Sequence, residues 1–360
     1  MEIDTIGIDL GKTVFHLGGL NAAGGVVVRR KFSRTQLLRF TANLRVRLIG
    51  MEACGGSHFL GGRLREQGHE VRLMPAQYVK PYVKTNKNDY IDAEAIAEAV
   101  GRAQMRFVPI KSDDQLDMQS LHRVRDRWVG RRTSVINQIR GLLLERGITF
   151  RKGRRHAEAS LPGVLEDPEN GLSGPLRMLL AQLQSELRQL QSQIDEADTL
   201  ITRAAGDHEA CRRLMAIPGV GPLTATAVVA SIGNGAEFRK GRSFAAWLGL
   251  VPEQRSTGGK QKLLGISKRG NSYLRKLLVH GARAVLQCRD KQSPSLSAWL
   301  SQLAARAHTN IVAVALARAH TNIVAVALAN KMARIVWAVL SKGEAYRPPL
   351  LTSSAEAMAC

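Results

Sequence analysis

Near residue 112 the hydrophobic period of the chain changes, and this change limits the fold more than any single motif. Before it, TIGIDL, VFHLGGL and GVVVRRKF read as three short strands joined by Gly-rich turns. Thr35–Leu44 then reads as a helix, VRLIGME as a strand, Ser57–Gln67 as a helix and HEVRLM as a strand. Asn88–Ala103 reads as a helix and MRFVPI as a last strand. Three successive strands followed by alternating helices and strands predict a mixed α/β sheet over residues 1–110. After residue 112 the strand period is lost. LHRVRDRWVGRRTSVINQIRGLLLERG predicts one long basic helix from a Ser112 cap to a Gly147 stop, with 111–150 completing the N-terminal domain. Residues 151–174, rich in Gly, Pro and charge, read as a linker. Leu176, Leu180, Leu183, Leu187, Leu190, Ile194, Ala197 and Ile201 alternate spacings of four and three, which predicts a coiled coil over 175–204, with a simple amphipathic helix against a core as the alternative. A mainly α-helical C-terminal domain over 205–345 and a tail over 346–360 complete the expected layout.

The charge narrows the partner. The chain carries 52 Lys plus Arg against 30 Asp plus Glu, a formal +22 spread along its length, which suits an extended polyanion such as nucleic acid. At 360 residues and 44% hydrophobic content it can bury two or three cores, unlike a basic tail. Cys54, Cys211, Cys288 and Cys360 lack CxxC spacing, and the nine histidines lack ligand spacing, so neither a disulfide framework nor a zinc site is expected. MEIDTIGIDLGK has no apolar signal region, and Ile311–Leu328 is interrupted by Arg318, His320 and Asn322. A cytoplasmic protein without a membrane partner is the expectation.

Within this basic chain, KTNKNDYIDAEAIAE gathers Asp89, Asp92, Glu94 and Glu98. On a helix starting near Asn88, Asp89 and Asp92 share a face, while Glu94 and Glu98 lie about 140° and 180° round from Asp89. Acids in a first turn also favour the helix dipole, a modest structural role. Asp9 ends the strand TIGIDL and Glu52 ends VRLIGME, and a lone acid ending a buried strand must reach a cleft or a partner. On neighbouring parallel strands both acids share one sheet edge, where a covering helix can bring Asp89 and Asp92. Four hard oxygen donors of this kind suit Mg²⁺ and phosphoryl transfer.

Two further stretches suggest phosphate contact. LMAIPGVGPLTATAVVASIG reads as a helix-hairpin-helix whose Gly219 and Gly221 let backbone N–H groups approach a phosphate, or else as a tight turn between core helices. GLVPEQRSTGGKQKLLGISKRGNSYLRK carries Arg255, Lys260, Lys262, Lys268 and Arg269 around Ser256. Ser256 is either a hydrogen-bond donor in a phosphate loop or a nucleophile on phosphorus, with Ser267 as the rival. Finally, ARAHTNIVAVAL occurs at 305–316 and again, identically, at 317–328, which reads as a recent in-frame duplication rather than a solenoid. About three and a third helical turns of insert either loop out or displace the final helix.

With GIDLGK, GMEACGG and KNDYIDAEAIAEA in this order, the chain resembles the Piv-like DEDD transposases of bacterial insertion sequences, the IS110 family, over nearly its whole length. The later LHRVRDRW, IPGVGPLTA, WLGLVPEQRSTGGKQKLLGISKRGNSYLRK and ALANKMARIVWAVL segments fit the same pattern, and HTN followed by ALANK resembles its IS1111 subgroup. The exact duplication departs from it, since HTN is expected once. The resemblance implies a RuvC/RNase H-like domain holding Mg²⁺ through Asp9, Glu52, Asp89 and Asp92, and a serine nucleophile at Ser256. It implies donor and target DNA as partners, a structured non-coding guide RNA, and homodimers or tetramers in which one chain's serine completes another's acidic site. The basic helix with Arg123, Arg125, Arg127, Arg131, Arg132 and Arg140 is the candidate RNA-facing surface. A junction-resolving nuclease using only the acids and water is the nearest alternative. An actin-like kinase, suggested by GIDLGKT, lacks the second phosphate loop, and a structural nucleoid protein would not need the acids.

Overall fold

The computed structural model describes residues 2–84, 88–288, 292–306 and 316–347, without side chains for 302–306 and 316–321. It divides into two compact units, residues 1–113 and 114–360.

The first unit is a mixed five-stranded sheet in the order β3-β2-β1-β4-β5. β1 (Thr5–Leu10), β2 (Val14–Leu20) and β3 (Val26–Ser33) form an antiparallel meander, while β4 (Leu48–Glu52) and β5 (Val71–Met74) run parallel to β1. Alternation along the strands sorts the residues. Ile6, Ile8, Ile49 and Met51 pack in one core with Leu37 of α1 (Arg34–Ala42) and Leu60 and Leu64 of α2 (Ser57–Glu66). After β5 the chain makes a short helix α3 (Ala76–Val79). On the opposite face Leu48 and Met74 pack with Ile96, Ala99 and Val100 of α4 (Asp89–Val100). MRFVPI does not form the expected sixth strand. Only an antiparallel bridge between Leu73 and Val108 survives, because Pro109 has no N–H to extend a ladder.

Gly7 sets how closely α4 approaches. A Cβ there would lie 2.0 Å from the Ala93 carbonyl oxygen and 2.4 Å from the Ala97 amide. Gly50 on β4 is likewise closed by Val100, 2.7 Å from where its Cβ would sit. Gly7→Ala is expected to push α4 off the sheet and cost roughly 3 kcal/mol, read as a lower denaturant midpoint. An unchanged midpoint would contradict this packing.

The second unit is mainly helical. By compactness, α5 (Asp113–Leu144) groups with it. Its Val135, Ile136, Ile139 and Leu143 pack with Leu180, Leu187 and Leu190 of α7 (Gly174–Asp207). The expected linker is largely a helix, α6 (Arg154–Glu166), because Ala157 and Leu161 find a place in that same core. The heptad seam of α7 is buried within the chain, at Leu180, Leu187, Leu190, Ile194, Ala197 and Ile201. Its apolar side is thus largely used within the chain, as an amphipathic helix against a core.

α8 (Glu209–Met215), α9 (Pro222–Ile232), α10 (Gly241–Trp247), α11 (Ser272–Gln287), α12 (Pro294–Arg306) and α13 (Leu316–Lys342) build the remaining core around Phe244, Leu248, Leu274, Leu278, Leu328 and Met332. Between α10 and α11 stands a two-stranded ribbon, β6 (Pro252–Thr257) and β7 (Lys260–Ile266), which the helical reading missed. The second copy of the duplication, 317–328, continues without a break into ANKMARIVWAVL within α13. That copy supplies Val324, Ala325 and Leu328 to the core. Residues 307–315 of the first copy lie outside the described residues, as does most of the tail. Asn322–Lys342 is long and apolar enough to cross a membrane, but half of it is buried in this core.

Candidate active site

Strand register places two of the four acids. Ile8 pairs with Met51 on parallel β1 and β4, and Asp9 and Glu52 follow at the C-terminal ends of both strands. By alternation Asp9 shares a face with Gly7, and Glu52 with Gly50, the face covered by α4. The Gly-x-acid pattern repeated in GID and GME therefore has one cause. The glycine admits the helix, and the acid two residues on lies beside the helix start.

α4 opens there. Asn88 caps it by accepting a hydrogen bond from the Tyr90 N–H at 3.0 Å, with Asp89 and Asp92 in the first turn. The other two acids of the segment are engaged elsewhere. Glu94 holds the Arg29 guanidinium on β3, and Glu98 pairs with Lys84 at 2.9 Å and Arg102 at 2.7 Å.

The electrostatics show which acids sense one another. Burial, then the charges of Asp92 and Asp89, raise the Asp9 carboxyl above its ordinary value, while His16 opposes them. Burial, then Asp9 and Asp92, raise Glu52 in the same way. Burial and the charges of Glu52 and Asp9 also raise the Cys54 thiol. His16 escaped the sequence reading. It pairs with Asp9 across the β1–β2 hairpin, its Nδ1 lies 3.6 Å from Asp89 Oδ2, and its ring meets Tyr90 edge-on. Counting back from the Gly11–Thr13 turn would have found it.

Mutually repelling carboxylates at the end of a sheet are hard oxygen donors, and a divalent cation would relieve them. Among the described residues, no group of three or more His, Cys, Asp or Glu side chains stands ready to hold an ion. The set fits a cation in charge and donor type, with the carboxylates needing to turn inward to meet it.

The other candidate residues lie in the second unit. Four of the six helix arginines are engaged outside their own helix, while Arg123 reaches Gln119 within it at 3.5 Å. Arg125 pairs with Asp198 and Arg131 with Glu186, while Arg132 donates to Gln191 at 2.6 Å and Arg140 to the Arg151 and Gly153 carbonyls at 2.8 and 2.9 Å. Arg123 and Arg127 remain exposed. The partners of the first three are on α7, so these arginines help dock one helix on the other.

Gly219, at φ +84°, is needed for packing, since a Cβ there would lie 2.7 Å from the Gly281 carbonyl oxygen of α11. Gly221, at the start of α9, has open space around it.

Ser256 stands on the exposed ribbon, opposite Gln261, and its Oγ accepts from Gln254 Nε2 at 2.8 Å. Gly258 and Gly259, at φ +57° and +76°, form the tight turn. Arg255 and Lys262 are direct cross-strand partners, and like charges so placed repel. Lys260, also exposed, flanks the turn. Ser267 sits at the ribbon's base, its N–H donating to the Val251 carbonyl at 2.9 Å. Lys268 donates its N–H to Gly249, and the Arg269 carbonyl accepts from Arg275, so this end is fixed to the helical core.

Comparison with known proteins supplies the family. Residues 6–147 match a family model of DEDD transposases of IS110 type, and residues 211–297 match that of the IS116/IS110/IS902 transposase family. A probable family 20 transposase of Pseudomonas aeruginosa is 47% identical over 97% of this chain and 100% of its own length. The transposase for insertion sequence element IS1111A of Coxiella burnetii is 42% identical over 96% of this chain and 92% of its own. That for IS1328 of Yersinia enterocolitica is 42% identical over 88% and 93%. The chain belongs to the IS110 family of insertion-sequence transposases, enzymes that cut and rejoin DNA.

Proposed function

We propose that this transposase works through two centres. In the first, Asp9, Glu52, Asp89 and Asp92 hold divalent cations, with Mg²⁺ the best match to hard carboxylate donors. The observation that carries this reading is the placing of Asp9 and Glu52 at adjacent parallel strand ends on the face that α4 covers, where burial and the charge of Asp92 raise both carboxyls. Bound there, the metal supplies charge stabilisation to a reacting phosphate. The strand order, with an antiparallel meander joined to parallel strands through β1, supports a RuvC/RNase H-like fold for this unit.

In the second centre, Ser256 Oγ attacks a DNA phosphorus. The Oγ–P bond forms as the bond to a sugar oxygen breaks, and that oxygen leaves with the proton the serine gave up. A phosphate between Arg255 and Lys262 would turn their repulsion into a shared contact. The Gly258–Gly259 turn keeps the backbone low beside it. Arg123, Arg127 and the Gly221 end of a helix-hairpin-helix offer further phosphate contacts.

The substrates in this reading are donor and target DNA, selected by a structured RNA from the element and handled by a dimer or tetramer. The test is strand exchange on the element's own ends, with and without the flanking non-coding RNA and a divalent cation. Exchange is expected only with both present. Exchange without RNA would remove the guide from the proposal, and exchange after complete chelation would remove the metal.

A further inference from the structure

A cleft of about 650 Å³ lies in the second unit between the 240–242 segment, α12 and α13. None of the sequence motifs led to it. Its walls carry Lys240, Arg242, Lys331 and Arg334 together with Trp299 and Trp337, and its lining has no carboxylate among the described residues.

The cleft is built rather than incidental. Trp337 donates its Nε1–H to the Gly235 and Phe238 carbonyls at 3.2 and 3.1 Å, which fixes the indole. Gly241 lets the 240–242 segment lie directly on α13, since a Cβ there would meet Arg334 backbone atoms at 3.1 Å. The Lys331 ammonium rests over the Trp299 ring, 4.0 Å from its centroid.

We propose that this cleft takes one unpaired nucleotide of the bound nucleic acid. Its phosphate sits among the four cations and its base lies against Trp299. The volume suits a nucleotide, within the usual range of small-ligand sites. In a duplex the base faces are stacked on their neighbours and are not free to lie against Trp299 without unstacking. Cations with an aromatic face are the combination that binds single strands, one part tracking the backbone and the other stacking a base. Lys331 has a flexible stem, so its ammonium can leave the indole for the phosphate while the base takes its place.

Burial, then the charge of Arg334, lower the Lys331 pKa below the ordinary lysine value, and a phosphate would offset both effects. In strand exchange a cut or displaced strand leaves bases unpaired, and such a site would hold one of them.

The inference rests on nucleic acid being the substrate. The experiment measures binding of the full chain to labelled ten-residue oligo-dT, to its oligo-rU counterpart, and to a blunt DNA duplex. Trp299→Leu and Lys331→Gln are each expected to weaken single-strand binding about tenfold, in the range of one lost stacked base. Duplex binding should change less than twofold. Lys331→Gln should also lower the log–log salt slope for single strands by roughly 0.7, one phosphate contact.

Should Trp299→Leu fail to fold, the exposed pair Lys240→Gln and Arg242→Gln carries the same test from the phosphate side. The two oligonucleotides show whether the source is DNA or RNA. Equal losses on duplex and single strand, or no loss at all, would overturn the cleft. Wild-type protein binding none of the three would instead overturn the nucleic-acid reading beneath it.

Discussion

Asp9→Asn is expected to abolish strand exchange and to raise the melting temperature. Both outcomes follow from one cause. Asp9 is held half-buried among like charges, so its folded-state pKa lies above its unfolded value. An acid raised in this way binds its proton more tightly when folded. Stability is therefore greatest below the unfolded pKa and is lost as pH rises through the folded one. At neutral pH the ionised carboxylate opposes folding, and the neutral amide removes that cost. A rise of roughly 2 °C is a reasonable scale for a unit of this size.

Magnesium should raise the melting temperature of the wild type and fail to raise that of the variant, because the ion binds only the folded site. Glu52→Gln should behave alike, and Asp89→Asn and Asp92→Asn should lose exchange as well. Glu94→Gln should keep most activity, since its carboxylate serves Arg29 on the far strand. The readouts are strand exchange, DNA retention on a gel and a melt with and without Mg²⁺. An active Asp9→Asn, or an inactive Glu94→Gln beside an active Asp92→Asn, would overturn the assignment.

Ser256→Ala should eliminate the covalent protein–DNA adduct while leaving folding and DNA binding unchanged. The substitution removes one oxygen from an exposed ribbon, so no core is disturbed. Among the described residues, the side-chain hydrogen bond to that hydroxyl comes from Gln254, which can turn to water. Loss of a nucleophile should lower exchange by several orders of magnitude, far beyond the effect of a lost hydrogen bond at about 1 kcal/mol. Ser256→Cys should retain a trace of adduct, because sulfur is intrinsically nucleophilic. Mass spectrometry of a trapped complex locates the bond. An adduct on Ser267 would reassign the nucleophile, although that serine's backbone is tied to Val251 at the ribbon's base. An active preparation with no adduct would favour a water-based nuclease.

Much of the sheet was legible because its signal is local. Period-two alternation and glycine turns fixed five strands, and a strand-ending acid in GID and GME declares itself without any partner in view. What failed depended on distant partners. Ala157 and Leu161 read as part of a linker until Val135 and Leu180 are there to bury them. Arg125, Arg131 and Arg132 read as a polyanion surface, and nothing local shows that Asp198, Glu186 and Gln191, 55 to 73 residues on, engage them. Gly219 read as a phosphate contact until Gly281 fills the space beside it. Helical periodicity also hid the ribbon. KQKLLGI is short and charged, and its Leu263 and Leu264 face outward, so no alternation marks it.

That ribbon has a consequence for the cell that carries the gene. Two strands with no core beneath them are marginal alone, while the base at Gly249, Ser267 and Lys268 is tied to the helices. Its serine stands exposed, with Arg255 held by Glu253 at 3.1 Å and Lys262 across the ribbon, and on the proposed reading a bound phosphate would gather these cations around it. For a protein whose substrate is also its host's chromosome, this works as a safeguard. If Ser256 is the nucleophile proposed above, its reactive surroundings would form only on bound DNA.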